Sequence, residues 1–348
     1  MLSVRFRKKS AVWGLLFTSL FLFLLFFAFG RVPGFADAYA AVAAPRVRSV
    51  LSGFFSLFPF SLTALTLLCL PLLFLFLLAR GMRALSRPRG LCRYTAGILS
   101  AVLAFLFVFV TAFAAGYRTA PLGKKLLLSP RTPDGETLAR CTAYLSAMAV
   151  PPDETPGSEE WLPALQEGFS KVFSRYGFPE QTAPPLKISR SGVLSFFGIL
   201  GLYALPFGEV TVNRAYPDAL FCFTAAHETA HGYGFAREEE ADLMAFLACE
   251  ASENAYLCYA AAVGMLGRIL PVLRDTDPAA WQDAAEILPK EARAELSDAN
   301  RAYSEAVLPA SAGESSEDEY RSLPALLCAY LSGRGLLRPP TDISSAAR

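Results

Sequence analysis

Both histidines of the 348-residue chain lie in one pentapeptide, His-Glu-Thr-Ala-His, at residues 227–231. Residues four apart share one face of a helix, so His227 and His231 can bind the same metal ion. Glu228 can then reach a water molecule on that ion. The apolar side of segment 218–226 predicts the helix that this arrangement needs. The pattern therefore predicts a hydrolytic zinc site with Glu228 as the general base.

A hydrolytic zinc site needs a third protein ligand and an open position for water. The chain has no third histidine and no suitably placed cysteine, so the third ligand must be a carboxylate. Residues 237–242, Arg-Glu-Glu-Glu-Ala-Asp, follow the pentapeptide after a glycine-containing turn and begin another predicted helix. Glu238 shares a face with Asp242, which can orient a liganding imidazole from behind. We expect one zinc ion per chain, bound by His227, His231 and Glu238.

The acidic run has a second interpretation, because carboxylates are favoured at any exposed helix N-terminus. The donor that would stabilise a developing oxyanion is also open, since no histidine remains for it. Four candidates, for each of which a structural role is the simpler interpretation, are Tyr233, Arg237, Tyr203 and Tyr259. An extended substrate would add to an edge strand, and the sequence predicts that strand at Gly208 to Asn213.

Three long runs without Lys, Arg, Asp or Glu precede this region, at residues 10–30, 49–79 and 94–117. Each run is long enough to cross a hydrocarbon core as a helix of about 20 residues. The predicted membrane spans are 11–29, 60–79 and 95–115. The first run is longer than the apolar region of a signal peptide, so an uncleaved span is the preferred interpretation.

Basic residues predict the orientation of these spans. The segment before the first span and the connection between the second and third carry more of them than the two opposite segments do. They are Arg5, Arg7, Lys8, Lys9, Arg80, Arg83, Arg87, Arg89 and Arg93. We therefore expect the N-terminus in the cytoplasm and everything after about residue 116 outside it.

The rest of the chain predicts a mostly helical domain. Predicted helices cover 134–148, 159–176, 216–232, 237–251, 253–270, 289–307 and 320–332, with an acidic loop at 311–319. Residues 186–213 are rich in β-branched and aromatic residues between glycines, which predicts short strands. The charge-free run 191–208 has the length of a fourth span, but its glycines and proline disfavour a continuous helix.

Composition excludes several classes of protein. A formal net charge of +1 provides no electrostatic footprint for nucleic acid. Seven cysteines without a Cys-x-x-Cys pair indicate neither a disulfide framework nor a thiolate zinc cluster. The high content of hydrophobic residues, 53%, excludes a disordered chain.

His-Glu-x-x-His followed by a helix with Glu-x-x-x-Asp resembles gluzincin metallopeptidases, in which that first Glu is the third zinc ligand. The string at 237–242 looks like the corresponding segment of membrane-bound M48-type peptidases. A wider similarity links the chain to DUF3810, a bacterial membrane family of uncharacterised proteins. The segments that carry it are 58–61, 117–122, 198–203, 208–213 and 227–249. The resemblance implies a zinc peptidase of the bacterial cell membrane, acting on a peptide or protein substrate.

The chain departs from better-known gluzincins in one respect. Only residues 232–237 separate the second histidine from Glu238, so the inserted elements that shape the substrate cleft of those enzymes are missing.

The predicted fold is mainly α: three N-terminal transmembrane helices in the lipid bilayer, followed by a mostly helical zincin-like domain with a small β-sheet. The predicted divisions are a membrane anchor at 1–117, a helical connector at 118–185, a metal-site core at 186–275 and a C-terminal helical segment at 276–348. Two functions stay open. One is a membrane-anchored zinc metallopeptidase, and the other is a non-hydrolytic membrane protein with a structural or regulatory metal site. A closed structural zinc shell needs no adjacent base, so Glu228 favours the first.

Overall fold

The computed structural model describes residues 2–32, 34–153, 156–305 and 317–337. Four long helices form the N-terminal part of the chain. They are α1 (Leu2–Phe29), α2 (Phe35–Phe55), α3 (Leu62–Leu85) and α4 (Pro88–Ala112). Helix α4 packs against both α1 and α3. The arginines of the predicted connection lie in the last turns of α3, at Arg87 between the helices, and in the first turns of α4.

Among the described residues, three helices are long and apolar enough to cross a membrane: α3, α4 and Ala255–Thr276. Helices α3 and α4 contain most of the second and third predicted spans, and α3 continues through Pro71. The apolar stretch of Ala255–Thr276 is 72% buried, against 6% for α3, so it forms part of a protein core. The first predicted span lies within α1, where Trp13–Phe29 is a shorter apolar segment.

Helix α2 was not expected from the sequence, which predicts only a connection between the first two spans. Its small residues give it a face that packs against the end of α4 and the following turn. Three charged residues, Asp37, Arg46 and Arg48, set α2 apart from the spans. The helix brings Arg48 to the domain that follows α4, where it contacts Gln181.

A 3-10 turn at Ala114–Arg118 links α4 to that domain, whose helices enclose a small sheet. The first part contains α5 (Leu122–Lys125), α6 (Gly135–Met148), α7 (Ser158–Tyr176), β1 (Leu186–Ser189), α8 (Val193–Phe196), β2 (Gly201–Ala204) and β3 (Glu209–Asn213). The second contains α9 (Asp218–Tyr233), α10 (Glu238–Ala251), α11 (Ala255–Thr276), α12 (Pro278–Ile287), α13 (Lys290–Ser304) and α14 (Glu317–Gly333). The predicted helices match these to within three residues at each end, except that α11 continues six residues past its predicted end. Helix α12 and the short helices α5 and α8 were not predicted. Most of the predicted loop at 311–319 lies outside the described residues.

The sheet has the strand order β1-β3-β2, with β3 parallel to β1 and antiparallel to β2. The prediction that Gly208 to Asn213 forms an edge strand is therefore wrong, because β3 has a partner on both sides. The edge strand beside α9 is β2. Residues 191–208 form α8, β2 and turns, so the alternative of a fourth membrane span is also excluded.

One hydrophobic core holds the metal-site helices in place. Helix α9 packs on α10, α11 and the sheet, and α10 also packs on α7 and α14. Trp161, Leu165 and Phe169 of α7 are almost fully buried in this core. The predicted helical connector, which contains α7, and the predicted C-terminal helical segment, which contains α14, thus belong to the same hydrophobic core as α9 and α10.

The sheet is also joined to the membrane helix α3. Glu209 is fully buried, and its Oε1 accepts hydrogen bonds from the backbone N–H of Thr63 at 2.8 Å and the hydroxyl of Thr63 at 2.7 Å. Ser61, the N-cap of α3, donates to the same oxygen at 3.0 Å. A carboxylate is favoured at a helix N-terminus, so Glu209 fixes the start of α3 against the middle strand.

Candidate metal centre

Helix α9 presents two imidazoles on one face. The side chains of His227 and His231 are one turn apart, with ring centroids 4.6 Å apart and planes nearly perpendicular. Both residues are buried, at 7% and 6% exposure. Small residues on the same helix, including Ala225, Ala226 and Ala230, are fully buried and let the core close around it.

Each imidazole is oriented by a hydrogen bond from Nδ1. His227 Nδ1 lies 2.7 Å from Oδ1 of Asp242, and His231 Nδ1 lies 2.7 Å from the carbonyl oxygen of Phe235. Because a carbonyl can only accept, His231 Nδ1 carries the proton, and Nε2 of the neutral ring has the free lone pair. The carboxylate of Asp242 imposes the same tautomer on His227. Both Nε2 atoms are therefore suited to bind a metal.

A tight turn brings Glu238 to these nitrogens. Gly234 ends α9 in the left-handed region with φ of 100°. The backbone N–H of Phe235 then donates a hydrogen bond to the carbonyl of Ala230. Helix α10 then begins at Glu238, whose two carboxylate oxygens lie 3.2 Å from His227 Nε2 and 3.5 Å from His231 Nε2. Ligand atoms of the three residues all lie within 4.8 Å of one another.

These residues fit zinc. A donor set of two imidazoles and one carboxylate is typical of hydrolytic zinc sites. Bonds of about 2.1 Å in a tetrahedron place neighbouring ligand atoms about 3.4 Å apart. The two nitrogen-to-carboxylate distances are close to that value. The side chain of Glu238 is 56% exposed, so the group opens to solvent on one side.

The electrostatics of the group also favour a bound cation. Burial opposes a charge on His227, but the carboxylates of Asp242, Glu238 and Glu228 outweigh it and raise the pKa of His227 to about 10. Burial likewise opposes ionisation of Glu238, yet the two imidazoles lower its pKa. A positive charge beside these carboxylates is thus stabilised, whether a proton on His227 or a metal ion carries it.

Glu228 faces the edge strand β2. Its Oε2 accepts a hydrogen bond of 2.8 Å from the backbone N–H of Tyr203. Gly201 permits this close approach, since a Cβ there would lie 2.9 Å from Cγ of Glu228 and 2.6 Å from Cγ2 of Thr224. Along β2, successive residues direct their peptide N–H and C=O groups alternately toward β3 and away from it. The groups of Gly201 and Tyr203 point away from β3, to the outer edge of the sheet. The predicted base is therefore hydrogen-bonded to the outer edge of β2.

Asp242 has a second partner that the sequence analysis missed. Arg268 of α11 donates from Nε to Oδ2 of Asp242, and its guanidinium lies 5.0 Å from the ring of Phe223. Burial opposes ionisation of Asp242, but Arg268 and His227 lower its pKa. One signal was available, because Arg268 is the first charged residue of α11 and interrupts its apolar sequence. The carbonyl of Phe235 had no such signal, since any residue supplies a carbonyl.

Arg237 links the start of α10 to the segment after α4 by hydrogen bonds. Its guanidinium donates to Glu240 at 2.7 Å, to the Tyr117 carbonyl at 2.8 Å and to the Thr119 carbonyl at 3.0 Å. Glu240 is buried and also accepts from the Leu122 backbone N–H at 2.8 Å. These contacts fit the structural role that is the simpler interpretation of Arg237 from the sequence, and its candidacy as an oxyanion donor stays a prediction.

The tyrosine candidates are also held by packing. The ring of Tyr233 lies 4.9 Å from that of Phe169 and 4.8 Å from that of Phe173. Tyr259 is buried on α11 beside Tyr256. Burial raises the pKa of Tyr203 to about 12, and it is the backbone of Tyr203 that contacts Glu228.

The last turn of the membrane helix α4 leads directly to the site. Phe113, the residue after α4, packs its ring against the imidazole of His231 with centroids 5.7 Å apart. The same ring lies 6.1 Å from that of Tyr203. The candidate metal centre is therefore adjacent to the end of a helix long and apolar enough to cross a membrane.

Comparison with known proteins gives one match. The model of the family described as "Protein of unknown function (DUF3810)" matches residues 39–320. No curated protein and no solved structure matches the chain.

Proposed function

The chain belongs to the DUF3810 family, and we propose that it is a membrane-anchored zinc metallopeptidase with a zincin-like domain. The observation that carries this proposal is the convergence of His227, His231 and Glu238 within 4.8 Å, with Glu228 close enough to contribute to the raised pKa of His227. A structural zinc site would need a fourth protein ligand. Among the described residues, only these three are grouped in this way.

Each residue has a defined part in the proposed reaction. His227, His231 and Glu238 would hold the zinc ion, and Asp242 and the Phe235 carbonyl would keep the imidazoles in the binding tautomer. Zinc, when bound, lowers the pKa of a water molecule and polarises the scissile carbonyl. Glu228 takes the proton of the attacking water and delivers it to the leaving amine.

The substrate peptide would lie along β2. An extended backbone can hydrogen-bond to the outward peptide groups of Gly201 and to the Tyr203 carbonyl by strand addition, while the Tyr203 N–H holds Glu228. Glu228 already contacts the Tyr203 N–H, so a peptide on this edge would pass beside the base. This assignment replaces the strand predicted from the sequence.

The arrangement of helices supports the orientation predicted from the basic residues. The sheet contacts the start of α3, and the candidate metal centre contacts the end of α4. With 24 residues, α3 is about 36 Å long, so the arginine-rich connection lies at the far end of both helices. We place this connection in the cytoplasm and the metal centre outside it.

The test begins with the zinc content per molecule of the purified full chain. We expect about one zinc in the wild type and in Glu228→Gln, and little in His227→Ala. Full zinc content in Glu238→Gln with unchanged affinity would refute the third ligand. No zinc in the wild type after supplementation would refute the metal site itself.

Hydrolysis separates the two functions that the sequence leaves open. With a library of fluorogenic peptides, a peptidase should cleave at least one substrate in the wild type, and Glu228→Gln should lose the activity while keeping its zinc. A structural or regulatory site would instead bind zinc without any cleavage that depends on Glu228.

A further inference from the structure

A cavity of about 380 Å³ lies behind the candidate metal centre, between α2, the turn after α4 and the segment 177–181. Residues that could bind the metal do not line it, although Glu240 and the turn after α9 do. Five alanines form an alanine wall: Ala40, Ala41, Ala44, Ala112 and Ala115. The larger side chains of Leu122, Tyr176, Phe178, Pro179, Tyr233 and Phe235 also line the cavity. The cavity is therefore separate from the site of the proposed reaction.

Arg48 is the buried positive charge in this cavity, with 7% exposure. Its Nη1 donates to the carbonyl of Ala112 at 3.2 Å and its Nη2 to Oε1 of Gln181 at 2.7 Å. Both acceptors are neutral, and within the described part of the chain Nε has no hydrogen-bond partner. No carboxylate of the described residues lies within 4.0 Å of the guanidinium. A buried cation without a counter-charge is costly.

The other charges around the cavity are already compensated. Asp37 and Lys125 lie 3.7 Å apart at its rim, and Asp37 also accepts from the Ala120 backbone N–H. Glu240 is paired with Arg237. The cavity therefore retains the positive charge of Arg48, which an anionic group could balance.

The position of the cavity indicates where such an anion would come from. Ala112 is the last residue of α4, and Arg48 donates to its carbonyl. The cavity is thus at the end of a helix that is long and apolar enough to cross a membrane. Its alanine wall offers an apolar surface beside the charge. Both features suit an amphiphile better than a fully polar ion.

We propose that this cavity binds an anionic amphiphile, whose phosphate or carboxylate group pairs with Arg48 and whose apolar part lies along the alanine wall. A volume of about 380 Å³ is within the range of small-molecule sites, roughly 300–1,000 Å³. The guanidinium also packs against the turn between α9 and α10, the two helices that carry the proposed metal ligands, since a Cβ at Gly234 would lie 2.6 Å from Nη1 of Arg48. The two sites therefore share one wall.

The probe is hexyl phosphate, added to the detergent-solubilised full chain and measured by calorimetry and by the thermal midpoint. We expect hexyl phosphate to bind and raise the midpoint, and 1-hexanol to have no effect. Arg48→Gln should weaken binding by roughly tenfold or more, because a hydrogen bond to a charged group is lost. The matched control is Arg46→Gln, which removes the same charge from an exposed position on α2 and should bind as the wild type does.

A second variant covers the case in which Arg48→Gln fails to fold. Ala41 is exposed and lines the cavity, so Ala41→Phe should block binding while leaving Arg48 in place. Inorganic phosphate separates the two sources of the anion. Equal affinity for inorganic and hexyl phosphate would overturn the assignment to an amphiphile. Unchanged binding of hexyl phosphate in both Arg48→Gln and Ala41→Phe, or no binding in the wild type, would overturn the site itself.

Discussion

Asp242→Asn should weaken zinc binding although Asp242 is not a metal ligand. The Asp242 carboxylate, 5% exposed, accepts from His227 Nδ1 with one oxygen and from Arg268 Nε with the other. An amide of the same shape has one accepting oxygen and one donating nitrogen. Since both partners are donors, one of them must face the amide nitrogen.

The size of the effect follows from that mismatch. Losing a buried hydrogen bond to a charged group costs about 1.5–3 kcal/mol. If His227 loses its partner, its ring is no longer held in the binding tautomer. If Arg268 loses its partner, an unbalanced positive charge remains near the metal. Loss of such supporting bonds lowers metal affinity about 10–100-fold, and we expect the zinc Kd of Asp242→Asn to rise by that factor.

The assay is zinc competition with a chromogenic chelator at fixed pH, with helix content checked by circular dichroism. Asp283→Asn is the matched control, because Asp283 is exposed on α12 and distant in sequence from the site. Its zinc Kd should equal that of the wild type. A zinc Kd for Asp242→Asn within twofold of the wild type, in a folded protein, would refute the role assigned to the carboxylate.

Two further predictions concern stability. Gly201→Ala should lower the thermal midpoint, because its Cβ would lie 2.6 Å from Thr224 Cγ2 and 2.9 Å from Glu228 Cγ; such overpacking costs about 1–3 kcal/mol. Thr63→Val should also lower the midpoint, because it removes the 2.7 Å hydrogen bond to the fully buried Glu209, worth about 1.5–3 kcal/mol.

Matched variants control both stability measurements. Gly53→Ala adds the same methyl group on α2 where nothing lies within 4 Å, and its midpoint should not fall. Thr66→Val makes the same change as Thr63→Val at an exposed position of α3. Equal thermal midpoints for Gly201→Ala and Gly53→Ala would refute the close packing inferred at Gly201. Equal midpoints for Thr63→Val and Thr66→Val would refute the stabilising hydrogen bond between the sheet and α3.

Helix prediction worked best where apolar periodicity and end signals agree. The ends of α6, α7, α9 and α10 lie within two residues of their predicted positions. Helix α2 was missed because Pro45 and its alanine-rich face do not form a strong apolar pattern. That helix is stabilised by packing on the end of α4, which a local pattern does not contain.

Strand order was the main error. Residues 209–213 were predicted as a strand and are one, but their position in the middle of the sheet depends on pairing with both 186–189 and 201–204. Hydrophobic pattern alone does not distinguish a middle strand from an edge strand in so short a sheet. The location of the edge was therefore beyond local sequence information.

The sequence by itself determined which residue types could do chemistry here. His227 and His231 are on one face because a helix repeats every 3.6 residues, and a short turn with Gly234 lets Glu238 return to them. Charge-free length likewise determined α3 and α4. Only the tertiary structure decided what surrounds these groups. Arg268 pairs with Asp242, β2 lies beside Glu228, and Arg48 is buried against the turn between α9 and α10. Such contacts join residues far apart in the chain, and they are set by the packing of whole elements.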